Sequence, residues 1–322
     1  RLASSAYLVM LYFYKLIWTV KLSWDYSYSV ITVIKWSSVT GIISILINAI
    51  LLIWAFWKLP KRNAYSWAIL SFYFTISIVI NFFILIGANF AERFLFIPSI
   101  FFSLAIVLLL ERFLERMFVE SKNLKLAIML LAILFSARTF IRISDWRSME
   151  TLVTSSLEVY PESSRIQTAM GSNMREKAEL TPPSPQKEQL YEQAVSYYKE
   201  ALEILPSNFE AWYNIGVIYQ NTSRPQLAAE AFRETLKYSS SFTNAYNNLG
   251  VLYFNARDYG TAEMWLKKGL EYEPNNASLL GNLGSTYHNT GNYEKARQLY
   301  DSSLAINPNQ PNIIKNKSIL PR

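Results

Sequence analysis

The sequence of 322 residues contains no cysteine and a single histidine, His288. The lack of cysteine excludes disulfides, thiolate metal sites and a cysteine nucleophile. A lone histidine is more often a surface residue than a catalyst, and it cannot by itself form a metal cluster or a serine–histidine–aspartate triad. No glycine-rich phosphate loop is present either. We therefore expect no bound metal, and several common classes of soluble enzyme are excluded.

Acidic residues are scarce in the first part of the chain. Residues 1–143 carry 14 of the 31 Lys and Arg residues but only 5 of the 24 Asp and Glu residues. This basic excess lies in the apolar part, where the positive-inside bias of membrane proteins places it. The second part has no basic stripe or nucleic-acid motif, so we expect no nucleic-acid partner. Because the chain starts with Arg1 directly before an apolar run, we interpret it as a fragment of a longer protein.

Five apolar segments are candidates for membrane spans, which need roughly 20 apolar residues each. They cover residues 2–20, 36–57, 65–87, 94–110 and 124–137. If all five segments cross the membrane, the basic loops 58–64 and 111–125 lie on the same side of it, which we take as cytoplasmic. The predicted domain 1–143 is then a polytopic helical bundle surrounded by membrane lipid. Everything after residue 143 lies on the extracytoplasmic side.

A 34-residue period runs through the second part of the chain. The segments AWYNIGVIYQ (211–220), AYNNLGVLYF (245–254) and LLGNLGSTYH (279–288) repeat at this interval. Their glycines and tyrosines, and alanines further on, resemble the tetratricopeptide repeat, in which two helices pack closely and a proline ends the second. The predicted fold class is therefore all-α: a polytopic transmembrane helical bundle followed by a tetratricopeptide-repeat solenoid.

The repeat pattern extends backwards with an insertion. Gly171 stands where a repeat glycine is expected, but it precedes Gly216 by 45 residues, eleven more than the period. We expect these extra residues, largely 180–189, to enlarge the turn between two helices. A still earlier helix is predicted from near Trp146 to Pro161. The predicted domain 144–310 thus holds an orphan helix and about four repeats, and the tail 311–322 starts another helix or frays.

Three asparagines recur at the repeat interval: Asn214, Asn248 and Asn282. A carboxamide offers one acceptor oxygen and two donor hydrogens, which suits it to bind a peptide backbone without selecting side chains. On this interpretation they line a concave groove that binds a protein acceptor or partner. The alternative is that asparagine at this position bonds neighbouring repeats.

Polar residues between the predicted spans form a second candidate set. Asp25 lies in KLSWDYSYSV, and Glu92 and Arg93 lie in ANFAERFLFIPS. Charges at a membrane edge most often serve as solvated caps, and arginine can snorkel to the interface. However, charge at membrane depth also marks functional sites, and arginine suits bidentate binding of a lipid phosphate.

The order of LSWDYSYS (22–29), GANFAERFLFIPS (87–99), further spans and then repeats resembles the transmembrane and tetratricopeptide-repeat (TMTC) family and its bacterial relatives. The resemblance implies the C-terminal part of a GT-C type glycosyltransferase. Such an enzyme transfers a mannose-like sugar from a polyprenyl- or dolichyl-phosphate donor to protein hydroxyls. By the family's A-E-R stretch, Glu92 and Arg93, together with Asp25, are expected at the donor phosphate or active-site loop. The catalytic acid is expected upstream of this chain, so no catalytic residue is assigned.

A non-catalytic, membrane-anchored repeat adaptor for protein–protein interaction is the competing interpretation. In that case the spans only hold the repeats, and the groove recruits a partner. No cofactor is expected beyond the lipid-phosphate sugar that the resemblance implies. Both interpretations predict a multi-pass membrane protein with its repeats in the endoplasmic reticulum lumen of a eukaryote or the periplasm of a bacterium.

Overall fold

A computed structural model describes residues 2–17, 37–77, 96–117 and 146–321, and seven single residues, 126, 129, 130, 133, 137, 140 and 143. All regular secondary structure in these parts of the chain is helical. The all-α class is therefore confirmed for them. The chain divides into two compact units, Arg1–Met170 and Gly171–Arg322.

The first unit contains four apolar helices near the start of the chain. They are α1 (Leu2–Ile17), α2 (Val39–Lys58), α3 (Ala64–Ser77) and α4 (Phe96–Met117). Each overlaps one of the first four predicted spans. Among the described residues, one stretch, Val39–Lys61, is long and apolar enough to cross a membrane, and the apolar helices Ala3–Tyr14 and Ile97–Leu109 are shorter. The predicted bundle of five spans is thus not confirmed, and its fifth segment lies mostly outside the described residues.

Helix α2 has a polar inner face and an apolar outer face. Asn48 is buried and donates to the carbonyl of Ala6 at 3.1 Å and to that of Ser44 at 2.6 Å. The Tyr73 hydroxyl donates to the Asn48 carbonyl oxygen at 2.6 Å, which ties α1, α2 and α3 together. On the outer face, isoleucines such as Ile50 and Ile53 are exposed. This arrangement is typical of helices that use polar contacts to associate within an apolar medium.

The remaining helices follow the predicted repeats. They are α5 (Met149–Val159), α6 (Ser164–Leu180), α7 (Pro185–Ile204), α8 (Phe209–Asn221), α9 (Pro225–Tyr238), α10 (Thr243–Asn255), α11 (Tyr259–Tyr272), α12 (Ala277–Asn289), α13 (Tyr293–Ile306) and α14 (Pro311–Ser318). Helix α5 lies where the orphan helix was expected, and the pairs α6–α7, α8–α9, α10–α11 and α12–α13 lie where the four repeats were expected. Several helices start with a side-chain cap, such as those from Asn208, Asp258 and Asn292, which satisfies a free backbone N–H.

The eleven inserted residues lengthen two helices instead of enlarging the turn between them. Helix α6 has 17 residues and α7 has 20, whereas α8 has 13 and α9 has 14. Only residues 181–184 connect α6 to α7. The predicted long turn is therefore wrong. The physical reason is that Pro185 occupies the first turn of a helix, where its missing N–H costs nothing.

Each repeat glycine receives a large side chain from the second helix of its own repeat. A Cβ added at Gly216 would lie 2.6 Å from the Phe232 ring, and one added at Gly250 would lie 2.5 Å from Leu266. Gly171 meets Tyr198 and Gly284 meets Tyr300 in the same way, at 2.8 Å. The prediction that glycine permits close helix packing is confirmed at all four positions.

The turns inside the last three repeats share a left-handed residue. Ser223, Arg257 and Gly291 have φ values of 57°, 60° and 80°. They are 34 residues apart, so the turn geometry repeats with the sequence period. Glycine adopts this conformation freely, whereas other residues lose about 1–2 kcal/mol there. The array therefore stores some backbone strain at Ser223 and Arg257.

The tail that follows the last repeat is ordered and packed. Ile313 of helix α14 and Leu320, just after this helix, lie in one apolar cluster with Leu283 and Tyr300 of the last repeat. The Ile313 side chain would lie 2.9 Å from a Cβ added at Gly281. Of the two possibilities left open for residues 311–322, the structure has the helix, which covers the apolar face of the last repeat.

Candidate functional site

The first helices of the last three repeats present one open face. Residues spaced by four, three and four positions share a side of a helix, and here none of the residues on that side is fully buried. In α8 these are Glu210, Asn214, Val217 and Asn221, all partly or fully exposed. The equivalent residues are Asn244, Asn248, Val251 and Asn255 in α10, and Ser278, Asn282, Ser285 and Asn289 in α12. We call these twelve residues the open face.

The predicted asparagines Asn214, Asn248 and Asn282 all lie on the open face and are half-buried. Asn248 donates from Nδ2 to the hydroxyl of Tyr213 at 3.3 Å, and Asn282 donates to Oδ1 of Asn247 at 2.8 Å. Both bonds join one repeat to the preceding repeat, which is the alternative role considered from the sequence. Each amide retains a second N–H, because an NH₂ group carries two hydrogens. A role in peptide binding stays a prediction.

A second row of asparagines on the open face was missed by the sequence analysis. Asn221, Asn255 and Asn289 lie seven residues after the first row, at the same 34-residue interval, and all three are exposed. Asn289 donates to the Ser285 carbonyl at 2.9 Å. The repeat period alone could have identified this row, since seven residues complete about two helical turns and return to the same side. The open face thus carries two parallel rows of carboxamides.

The open face is nearly neutral. Its twelve positions contain one carboxylate, that of Glu210, and no basic residue. Apart from the valines, the other side chains are amides and hydroxyls, which both donate and accept hydrogen bonds. Such a surface can bind polar backbone groups, but it offers no strong attraction to a charged ligand.

Ionisable residues of the second helices bond to tyrosines of the first helices that lie outside the open face. The hydroxyl of Tyr253 accepts a hydrogen bond from Arg233, and the hydroxyl of Tyr287 donates to Glu263 at 2.7 Å. Burial and this bond to Glu263 raise the pKa of Tyr287, while the hydrogen bond from Lys267 lowers the pKa of Glu263. These groups link the second helix of one repeat to the first helix of the next. Their role is therefore to join repeats.

The remaining sequence candidates do not extend this site. Asp25, Glu92 and Arg93 lie outside the described residues, so the structure does not place them. His288 is half-buried, with its ring 5.9 Å from that of Tyr293 in an edge contact. The part of the chain that the structure describes contains no cluster of three or more residues able to hold a metal ion.

Family models of the tetratricopeptide repeat match residues 187–223, 209–242 and 241–309. This segment therefore consists of tetratricopeptide repeats. Among curated proteins, human Protein O-mannosyl-transferase TMTC3 is 26% identical over 155 residues, which are 47% of this chain. The matched segment spans only 15% of the length of that relative.

Several solved structures are also similar to this chain. YrrB, described as a TPR protein with an unusual peptide-binding site, is 20% identical to this chain. The match covers 58% of this chain and 89% of the YrrB chain, with a TM-score of 0.43. PilF of Pseudomonas aeruginosa is 25% identical, and the match covers 47% of this chain and 68% of the PilF chain with a TM-score of 0.39. MamA of Desulfovibrio magneticus RS-1 is 16% identical, and the match covers 56% of this chain and 95% of the MamA chain with a TM-score of 0.42.

Proposed function

We propose that this protein is a membrane-attached scaffold that binds an extended segment of a partner protein on its open face. The observation that supports this most directly is the double row of asparagines, repeated in three successive first helices. Tetratricopeptide repeats form extended binding surfaces of this kind. The apolar stretch Val39–Lys61 supplies the membrane attachment.

The spacing of the rows suits a peptide backbone. Adjacent packed helices lie about 8–10 Å apart, and three residues of an extended chain span about 10 Å. The asparagine pairs of successive first helices would then contact residues three positions apart in an extended peptide. Because carboxamides pair with backbone N–H and C=O groups, such binding depends weakly on the peptide's sequence.

Replacing Asn255 and Asn289 with alanine tests this proposal. A net hydrogen bond contributes about 0.5–1.5 kcal/mol, so each substitution is expected to weaken peptide binding by about two- to tenfold. The probe is a neutral, unstructured peptide selected against the intact chain from a displayed library. Its dissociation constant is measured by fluorescence anisotropy for each variant.

Asn275→Ala is the matched control, because Asn275 is an exposed asparagine in the turn between α11 and α12 and is not one of the twelve residues of the open face. Its affinity for the peptide should equal that of the unmodified chain. Unchanged binding by the Asn255→Ala and Asn289→Ala variants would show that the peptide does not use the open face.

A second candidate function is transfer of a sugar from a lipid-phosphate donor to protein hydroxyls, with the acceptor protein bound to the repeats. The similarity to Protein O-mannosyl-transferase TMTC3 favours it. In this proposal the spans form a multi-pass bundle and the repeats are extracytoplasmic. Arg93 binds the donor phosphate, with Glu92 and Asp25 nearby, since a guanidinium group matches phosphate geometry.

Arg93→Ala in the full-length protein tests the second candidate. Sugar transfer to protein hydroxyls in isolated membranes should fall by about a hundredfold or more, as expected when a charged partner of the leaving phosphate is removed. Arg93→Lys keeps the charge and should retain part of the activity. The amount of protein in the membrane should be the same for all variants. Full transfer by Arg93→Ala would remove Arg93 from the mechanism.

A further inference from the structure

A cavity of about 640 Å³ lies between the first and second repeats, next to the carboxyl-terminal end of the open face of α8. Its walls are one side of α7 and the carboxyl-terminal end of α8, with the turn that follows. Tyr191, Val195, Ile218 and Tyr219 supply an apolar lining, and Lys187, Lys199 and Arg224 supply positive charge. The cavity is large enough for one or two side chains of a bound peptide.

The cavity exists because α7 is longer than the other second helices. Ala194 and Ala228 hold equivalent positions, but α7 begins nine residues before Ala194 and α9 begins only three residues before Ala228. The six additional residues extend α7 by about 9 Å. This extension stands beside the end of α8 and forms a wall that the other repeats lack. The inserted residues therefore create the site.

The polar groups of this interface differ from those of the other two interfaces between repeats. Arg233 bonds Tyr253, and Lys267 bonds Glu263, which in turn accepts from Tyr287. Lys199 and Tyr219 hold the equivalent positions at the first interface, and both line the cavity. Within the described residues, neither side chain has a hydrogen-bond or ion-pair partner. The donors that join repeats elsewhere are available here.

The charges around the cavity favour a single carboxylate over a polyanion. Arg224 is exposed and has no ion pair among the described residues, while Lys187 donates to the Thr181 carbonyl at 3.1 Å. Glu188 and Glu192 also line the cavity and are exposed. These two acids oppose nucleic acid or a densely charged lipid surface, because like charges repel. One carboxylate can still pair with Lys199 or Arg224.

We propose that this cavity is a second protein-binding site, which takes an apolar side chain and an adjacent carboxylate from a partner protein. The apolar side chain packs on Tyr191, Val195 and Ile218. The carboxylate accepts hydrogen bonds from Lys199, Arg224 and the Tyr219 hydroxyl. This site is separate from the open face, although Asn221 borders both, and each site can bind without the other.

The test uses a labelled, end-blocked pentapeptide of sequence Gly-Asp-Phe-Asp-Gly and the full chain in detergent micelles. The same peptide with asparagine in place of both aspartates should bind at least about tenfold more weakly, since the charge-assisted hydrogen bonds to the carboxylate are lost. Lys199→Gln should weaken binding of the acidic peptide by about tenfold. Ser196→Trp, which fills the cavity from an exposed position on its wall, should abolish binding.

Lys267→Gln is the matched control, because Lys267 holds the equivalent position in another interface but already bonds Glu263. It should leave peptide binding unchanged. The proposal is overturned if the acidic peptide does not bind, if both peptides bind equally, or if Ser196→Trp binds normally. Complete displacement by millimolar inorganic phosphate would show a site for small anions and would also overturn it. The Asn255→Ala and Asn289→Ala variants should bind this peptide normally, which separates the two proposals.

Discussion

Replacement of Phe232 by alanine should lower the free energy of unfolding of the repeat unit by about 3–5 kcal/mol. The Phe232 ring is fully buried, lies against Gly216 and is 5.7 Å from the ring of Tyr213. Its removal leaves a void that the two helices of the repeat cannot fill without moving. Chemical unfolding, with hydrogen exchange of the α8 and α9 amides as the local measure, reports the loss.

A second substitution gives this prediction a specific check. Gly216→Ala alone should destabilise the repeat by about 1–3 kcal/mol, because the added methyl group collides with the ring. In the Phe232→Ala background the same methyl group enters the void, so the double variant should be more stable than the sum of the two single effects. Leu227→Ala is the control, since Leu227 is 43% exposed on the same helix. Additive effects would contradict the observed contact between Gly216 and Phe232.

Ile313→Asp should detach helix α14 from the last repeat. Ile313 is 8% exposed and packs with Leu279, Leu283 and Tyr300. A carboxylate is not stable in such surroundings, and the loss of the isoleucine contacts alone costs at least about 2 kcal/mol. Amides in α12, α13 and α14 should then exchange faster, while those in α8 and α9 should not change.

Ile314→Asp provides the comparison for this second prediction. Ile314 is the next residue on α14 and is 50% exposed, so a charge there stays in water. Its exchange rates should match those of the unmodified chain. Equal effects of the two substitutions would mean that the change in charge on α14, and not the contact of Ile313, controls the stability of the last repeat.

The period of the sequence was sufficient to predict the repeats. The glycines at 171, 216, 250 and 284 each mark a close contact between two helices, because no other residue fits against a facing ring or leucine. The helix pairs follow from this contact and from apolar residues at three- and four-residue steps. Local patterns of this kind are independent of distant parts of the chain, which explains why they can be found without a structure.

The inserted segment and the roles of single polar residues were harder to predict. Residues 180–189 were expected to enlarge a turn, but Pro185 within them is suited to the first turn of a helix. The bonds of Asn248 and Asn282 depend on how adjacent repeats stack, which the sequence of one helix does not specify. The cavity beside α7 depends on both effects, so neither its position nor its lining was predicted.

The nearly neutral open face has a consequence for how binding responds to ionic strength. Amide and hydroxyl groups release no counterions when they form hydrogen bonds, so peptide affinity there should stay constant when salt is added. In contrast, the attraction between an exposed charge and a carboxylate weakens as salt is added, because the screening length falls from about 8 Å at physiological salt to about 3 Å at 1 M. A partner that occupies both the open face and the cavity would stay bound to the asparagines at high salt, while its acidic segment would dissociate from the cavity.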